Sequence, residues 1–203
     1  MSGAVLGVMA SGRGSDLQSI IDAIESGQIK APIGVVITDK PQAMALERAK
    51  KAGIPAVCVD RKLYSDRQSF EEVLVKELKK YGVTLVVLAG FMRILSPYFV
   101  HQFKDAILNI HPSLLPSFGG AHAHRDVLAY GAKVSGCTVH FVDEGMDSGP
   151  IIMQKAVPVL DDDTEDTLAA RVLEQEHIVY PKVIELYLAG KIHLNGRRVT
   201  IDD

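Results

Sequence analysis

Apolar residues come in short runs, separated by stretches in which they recur every three or four positions. Residues 4–9 form the first run; Leu17, Ile20, Ile21 and Ile24 then repeat at helical spacing until Gly27. The alternation continues. Residues 33–38 read as a buried strand, Ala43, Leu46 and Ala49 as one face of a helix stopped near Gly53, and residues 56–59 as a weaker strand. Ser65 with Gln68 has the form of a capping box, and Phe70, Val73, Leu74 and Leu78 carry that helix to Gly82. Residues 84–89 are the most apolar run. Ser96-Pro97 opens a short helix, because proline is accepted at the first helical position, and residues 106–110 predict a fifth strand.

Strands that are apolar on both faces and alternate with helices predict a parallel sheet covered on both sides. The later part differs. Residues 136–142 and 151–159 predict two strands around a glycine-containing acidic loop, 143–149, and need not run parallel to the rest. Thr164 opens a helical stretch to about Leu188, with a bend expected at Pro181. Asn195-Gly196 between residues 191–194 and 197–201 predicts a closing hairpin. The expected architecture is one α/β domain over residues 1–203: a Rossmann-like, mostly parallel twisted sheet with helices on both faces and a mixed C-terminal part. Its first half (1–103) is built of βαβ units, and its second (104–203) carries the C-terminal helix and hairpin.

Composition narrows the function. The 203 residues are 47% hydrophobic and 23% charged, ordinary globular usage. A net charge of −3 argues against a nucleic-acid partner held by general electrostatics. No apolar run is long enough for a membrane span. Cys58 and Cys137 match no metal spacing and suit buried thiols in a reducing, cytoplasmic compartment, with a disulfide between them as the alternative.

Two places carry candidate chemistry. Gly12, Arg13, Gly14, Ser15 and Asp16 lie between a strand and a helix, where backbone N–H groups and the helix dipole favour an anion. A dinucleotide fingerprint is the rival reading, since Asp39 ends the second strand, but Leu17 stands where the third glycine belongs. A plain structural turn is the third reading. The other place is the end of the fifth strand, where Asn109 and His111 point to the same side of an extended chain before Pro112. Asp147, in a loop with Gly145 and Gly149, could fold over the same edge. A carboxylate beside an imidazole favours its charged form. An amide and a cationic imidazole together can stabilise a tetrahedral oxyanion, which suits acyl transfer to an amine. A histidine merely tied into its loop is the bland alternative.

Residues 12–16, 88–96 (Leu-Ala-Gly-Phe-Met-Arg-Ile-Leu-Ser), 109–116 (Asn-Ile-His-Pro-Ser-Leu-Leu-Pro) and 143–150 occur in an order and spacing that resemble the phosphoribosylglycinamide formyltransferase family of folate-dependent formyltransferases. The resemblance covers nearly the whole chain. It implies two small-molecule substrates, 10-formyltetrahydrofolate and 5-phosphoribosylglycinamide, with no metal and no tightly bound cofactor. It also implies residue roles. Gly12, Arg13, Gly14, Ser15 and Asp16 would hold the substrate phosphate, and Leu173, Glu174, Gln175 and Glu176 the ribose. Met92, Arg93, Ile94 and Leu95, with Asp143, Glu144, Gly145, Met146 and Asp147, would wrap the pterin, and Asn109 would also contact the folate. Arg67 would meet the anionic end of the folate. Asn109, His111 and Asp147 would form the catalytic trio. Phe118-Gly119-Gly120 departs from the pattern of many relatives.

The rivals are a 10-formyltetrahydrofolate hydrolase, expected to carry a further domain before the catalytic one, a formyltransferase of aminoacylated tRNA, expected to carry a basic domain after it, and a non-catalytic nucleotide or folate sensor on the same fold. Monomer and homodimer both remain open. His122 and His124 are read as a polar loop lining the cleft rather than a metal pair. Asp161, Asp162 and Asp163 with Glu165 and Asp166 are read as a solvated turn that feeds acids into the first turn of a helix.

Overall fold

A computed structural model describes residues 3–203. Seven strands form one sheet in the order β3-β2-β1-β4-β5-β6-β7, and β8 and β9 form a separate pair. The chain divides into two compact units, Met1–Leu108 and Asn109–Asp203.

The first unit contains β1 (Leu6–Ala10), α1 (Ser15–Glu25), β2 (Ile33–Thr38), α2 (Met44–Lys51), β3 (Ala56–Cys58), a 3-10 turn, α3 (Arg67–Lys80), β4 (Leu85–Leu88) and α4 (Pro97–Gln102). β1 pairs in parallel with β2 and β4, and β2 with β3, so the parallel sheet predicted from the apolar runs is present. Every residue of β1 and β4 is buried, as strands covered on both faces require. α3 begins one residue later than the Ser65–Gln68 capping box implied. Asp66 is the N-cap, and its carboxylate accepts from the Ser69 N–H at 2.7 Å. An aspartate satisfies that orphan donor as well as a serine does, and the buried phase of Phe70, Leu74 and Leu78 selects it. Ser96 caps α4 with Pro97 at its first position, as expected.

β5 (Ile107–His111) leads into the second unit, with α5 (Ala123–Tyr130), β6 (Val134–Phe141), β7 (Ile151–Pro158), α6 (Glu165–Leu188), β8 (Ile192–Asn195) and β9 (Arg198–Ile201). β6 and β7 are antiparallel, so the sheet is mixed where the sequence suggested it. α5 is a helix the sequence reading took for loop. His122 is its exposed N-cap, and Ala123 and Val127 are its only buried residues. Thr164 caps α6 reciprocally with Thr167.

Two expectations are corrected here. Asn195 pairs with Arg198, so the hairpin turn is Gly196-Arg197 rather than Asn195-Gly196, with Gly196 at φ 61°. Glycine at the first central position supplies the positive φ that such a turn needs. The acidic turn is not uniformly solvated either. Asp161, Asp162, Glu165 and Asp166 are exposed, but only 2% of the Asp163 side chain is, and it binds Arg171 through both oxygens at 2.8 and 2.9 Å. The Arg171 guanidinium, helped by the Leu160 N–H, holds the Asp163 carboxyl well below the usual carboxylate range.

Candidate active site

The end of β5 places Asn109 and His111 two residues apart, half-buried and buried respectively. The chain beyond is fastened to β6 and β7. The Thr138 hydroxyl donates to the Ser113 carbonyl at 2.7 Å and accepts from the Leu115 N–H at 3.1 Å and from the Gln154 amide at 3.0 Å. The same Gln154 amide nitrogen donates to the Leu115 carbonyl at 2.8 Å. The Thr138 bonds to Ser113 and Leu115 are buried, so one threonine fixes the exit from the strand.

The 143–149 loop brings Asp147 back to this strand end. Asp147 Oδ2 lies 3.5 Å from His111 Nδ1 and accepts the Gly120 N–H at 2.9 Å. The loop is shaped by Asp143, whose Oδ1 accepts from the Gly145 N–H and the Ser148 hydroxyl. Gly149 is required by close approach, because a Cβ there would stand 1.7 Å from the Phe141 carbonyl oxygen. The other side of the imidazole meets the 118–120 loop, where His111 Nε2 lies 2.9 Å from the Phe118 carbonyl oxygen. A carbonyl only accepts, so Nε2 carries a hydrogen. Nδ1 faces the Asp147 carboxylate.

Asn109 is hydrogen-bonded to His140 rather than to Asp147. Its amide nitrogen lies 3.2 Å from His140 Nε2, while His140 Nδ1 lies 2.8 Å from the Phe141 carbonyl oxygen. By the same reasoning Nδ1 is the protonated nitrogen of His140, and Nε2 accepts from Asn109. Burial pushes the His140 imidazole down from its ordinary value, against the upward pull of the Phe141 carbonyl, so the ring is held neutral. Burial, with the nearby His111, also pushes His124 down. His140 and the Phe118 carbonyl were missed from the sequence. Thr138 and His140, two apart and buried in a mostly apolar strand, repeat the signal that singled out Asn109 and His111.

The remaining candidates fall as follows. In the first unit, Gly14 is the N-cap of α1 at φ 71°, with no side-chain cap on the helix N-terminus. Ser15 is half-buried and Asp16 buried. Arg67 is exposed at the first position of α3. Along 91–95, Phe91 and Leu95 are core at 7% and 4% exposure, whereas Met92 and Ile94 are open at 63% and 52%. Arg93 is paired with Asp39. In the second unit, Leu173, Glu174, Gln175 and Glu176 lie on α6, with Glu176 buried, and Glu144, Gly145 and Met146 are exposed. No group of three or more potential metal ligands occurs among the described residues, and no helix among them is long and apolar enough to cross a membrane.

A mixed α/β sheet whose strand end presents an amide and a carboxylate-flanked imidazole is the equipment of a non-covalent acyl-transfer enzyme. The formyl transferase family model matches residues 5–184, and the chain belongs to that family. It is 43% identical over 195 residues to the phosphoribosylglycinamide formyltransferase of Escherichia coli (strain K12), covering 96% of this chain and 92% of that protein. It is 45% identical to the trifunctional purine biosynthetic protein adenosine-3 of Chironomus tentans over 95% of its own length, but spans only 14% of that protein. The crystal structure of glycinamide ribonucleotide transformylase 1 from Symbiobacterium toebii superposes with a TM-score of 0.97 at 47% identity, over 99% of this chain and 95% of that one.

Proposed function

We propose that the chain transfers the formyl group of 10-formyltetrahydrofolate to the amine of 5-phosphoribosylglycinamide, giving formylglycinamide ribonucleotide and tetrahydrofolate. The single observation that carries the chemistry is the imidazole of His111, set between the Asp147 carboxylate and a carbonyl at a strand end shared with Asn109. The substrate amine attacks the formyl carbon. The carbonyl oxygen becomes an oxyanion that accepts hydrogen bonds from a His111 N–H and from the Asn109 amide hydrogen not held by His140. Collapse breaks the bond from the formyl carbon to the folate nitrogen, which takes up a proton as the attacking nitrogen loses one.

The other roles follow from the local structure of each segment. The N-terminus of α1 suits the ribose phosphate of the substrate, because its N-cap, Gly14, supplies no side-chain cap and the helix dipole favours an anion there. Glu176, buried on α6, suits the ribose hydroxyls. Met92 and Ile94, and the 143–147 loop, suit the pterin, and exposed Arg67 the anionic end of the folate. Cys137 is buried as expected, whereas Cys58 is exposed at the end of β3 and not the buried thiol the sequence suggested.

The test is to mix the purified chain with both substrates and follow the deformylated folate and the formylated amine together. Equal yields of the two are expected. Formate release without the amine acceptor would make the enzyme a hydrolase, and binding without turnover would make it a sensor. His111→Ala, with its fold verified by circular dichroism, is expected to lower kcat by about 10²- to 10³-fold. Unchanged turnover in that variant would overturn the assignment.

A further inference from the structure

The sequence predicts a C-terminal hairpin, and the proposed transfer makes no use of it. No residue of β8 or β9 is buried, so the pair adds little to a hydrophobic core. Two strands alone are marginally stable in water. This pair is nonetheless fastened. At its open end the Asp202 N–H donates to the Lys191 carbonyl at 2.9 Å, and His193 Nε2 lies 2.8 Å from an Asp202 carboxylate oxygen. β9 lies against β7, the strand into which the 143–149 loop returns.

The turn end of the hairpin reaches that loop. Gly196 and Arg197 form the centre of the turn, and Arg197 Nη2 donates to the Ser148 carbonyl at 2.7 Å. A guanidinium donor makes this a charge-assisted bond, at the short end of the usual range. Ser148 stands between two constrained residues. Asp147 before it has φ 51° and accepts the Gly120 N–H. Gly149 after it is packed on the Phe141 carbonyl too closely for any Cβ. The rest of the loop is open: Glu144, Gly145 and Met146 are exposed. The bonds from Gly145 and Ser148 to Asp143 lie within the loop itself. Arg197 anchors it from outside, one residue beyond Asp147.

We propose that Arg197 is a positioning residue: from the hairpin turn it holds the Ser148 carbonyl and so keeps the Asp147 carboxylate set 3.5 Å from His111. It acts through Asp147 and touches no reacting atom. The inference rests on the role proposed for Asp147 beside His111. A hydrogen bond at an exposed site contributes little to folding, because water competes for both partners. Its effect on rate is a separate matter, since small displacements of a group that supports the reacting centre are costly. The hairpin thereby acquires a use as a brace, with its base stapled and its tip on the loop.

Two variants of the full chain test this. Arg197→Met keeps the apolar stem and removes the donor, and Arg197→Lys keeps a charged donor. Both change an exposed turn residue, so both are expected to fold. Hydrogen exchange of the 145–149 amides, read by mass spectrometry, should be about 2- to 10-fold faster in Arg197→Met than in the parent. In the transfer assay kcat should fall by a similar factor, with the KM for 5-phosphoribosylglycinamide within about twofold of the parent's, and Arg197→Lys should recover at least half of the loss. On an Asp147→Asn background Arg197→Met should cost nothing further, whereas a merely structural role would cost the same factor again. Unchanged exchange, a kcat equal to that of an active parent, no recovery with lysine, or a loss that persists beside Asp147→Asn would each overturn the proposal. Exchange needs no substrate. A parent that transfers no formyl group would therefore sink the proposed function, while the brace would still be judged by exchange.

Discussion

His140 tests the proposed active-site arrangement more sharply than Asn109, His111 and Asp147 do, because its effect should pass entirely through Asn109. His140→Leu removes the acceptor 3.2 Å from the Asn109 amide nitrogen and leaves that amide free to rotate. One neutral hydrogen bond is worth about 0.5–1.5 kcal/mol, so kcat should fall roughly 2- to 13-fold while KM for both substrates changes less than twofold. Asn109→Ala removes the proposed oxyanion donor itself and should cost about 10²- to 10³-fold. The double variant should then be no slower than Asn109→Ala alone, since a positioning residue has nothing left to position. Steady-state kinetics on the four proteins completes the cycle, at denaturant-verified fold and saturating substrates. Losses that multiply in the double variant would show that His140 acts independently, and the chain from β6 through Asn109 to the reacting carbon would be wrong. The variant should also lose about 1–3 kcal/mol of stability, because the Phe141 carbonyl loses its partner.

Thr138→Val should destabilise the protein by about 1–3 kcal/mol for each of the buried Leu115 N–H and Ser113 carbonyl groups it strands, measured by urea unfolding; a loss below 0.5 kcal/mol, within the usual range for an inconsequential substitution, would refute the pinning role. Gly149→Ala forces the loop away from the Phe141 carbonyl and should cost roughly 100-fold in turnover through displacement of Asp147, with wild-type rates refuting it. Stability should also fall on acidification. His140 and His124 have folded-state values below that of an unfolded histidine, about 6.5, so their neutral forms stabilise the fold above that pH. As pH drops below it the unfolded chain takes up protons first, and the loss is at most about 1.4 kcal/mol per pH unit for each ring. Denaturant midpoints at pH 8 and pH 5.5 should differ less in a His124→Gln, His140→Gln double variant than in the parent, and an unchanged difference would count against the two rings as its source.

What the sequence revealed and what it hid divide along physical lines. Buried strands announce themselves because both faces must be apolar, and Asn109 and His111 stood out because they interrupt such a strand. Glycines at 145 and 149 flagged a turning loop, and the structure brings Asp147 within 3.5 Å of the imidazole. α5 was not legible, since a helix that buries only Ala123 and Val127 leaves almost no periodicity to read. The α3 cap and the hairpin turn each slipped by one residue for a common reason. Adjacent residues, Ser65 and Asp66 or Asn195-Gly196 and Gly196-Arg197, offer nearly equal local chemistry, and tertiary phase selects between them. The Phe118 carbonyl was invisible in principle, because every residue carries a carbonyl and only the backbone path decides which one meets His111.

That backbone path is unusual in a way that bears on the reaction. Three non-glycine residues among those described have positive φ: Asp105, Phe118 and Asp147, and two of the three contact His111. Left-handed conformations of such residues cost of order 1–3 kcal/mol each and persist where surroundings impose them. Here the Gly120 N–H bonded to Asp147 ties the two strained loops together across the imidazole. The strain therefore resides in the loops, while His111 itself sits on a regular strand. One N–H cannot serve a carbonyl and an oxyanion at once with full strength. If His111 donates through Nε2, the Phe118 carbonyl must withdraw as negative charge develops, and Gly119 and Gly120 beside it are the residues able to absorb that movement. Under the proposed mechanism, a fixed imidazole with an exchangeable acceptor would keep the donor oriented before substrate arrives and release it to the developing oxyanion.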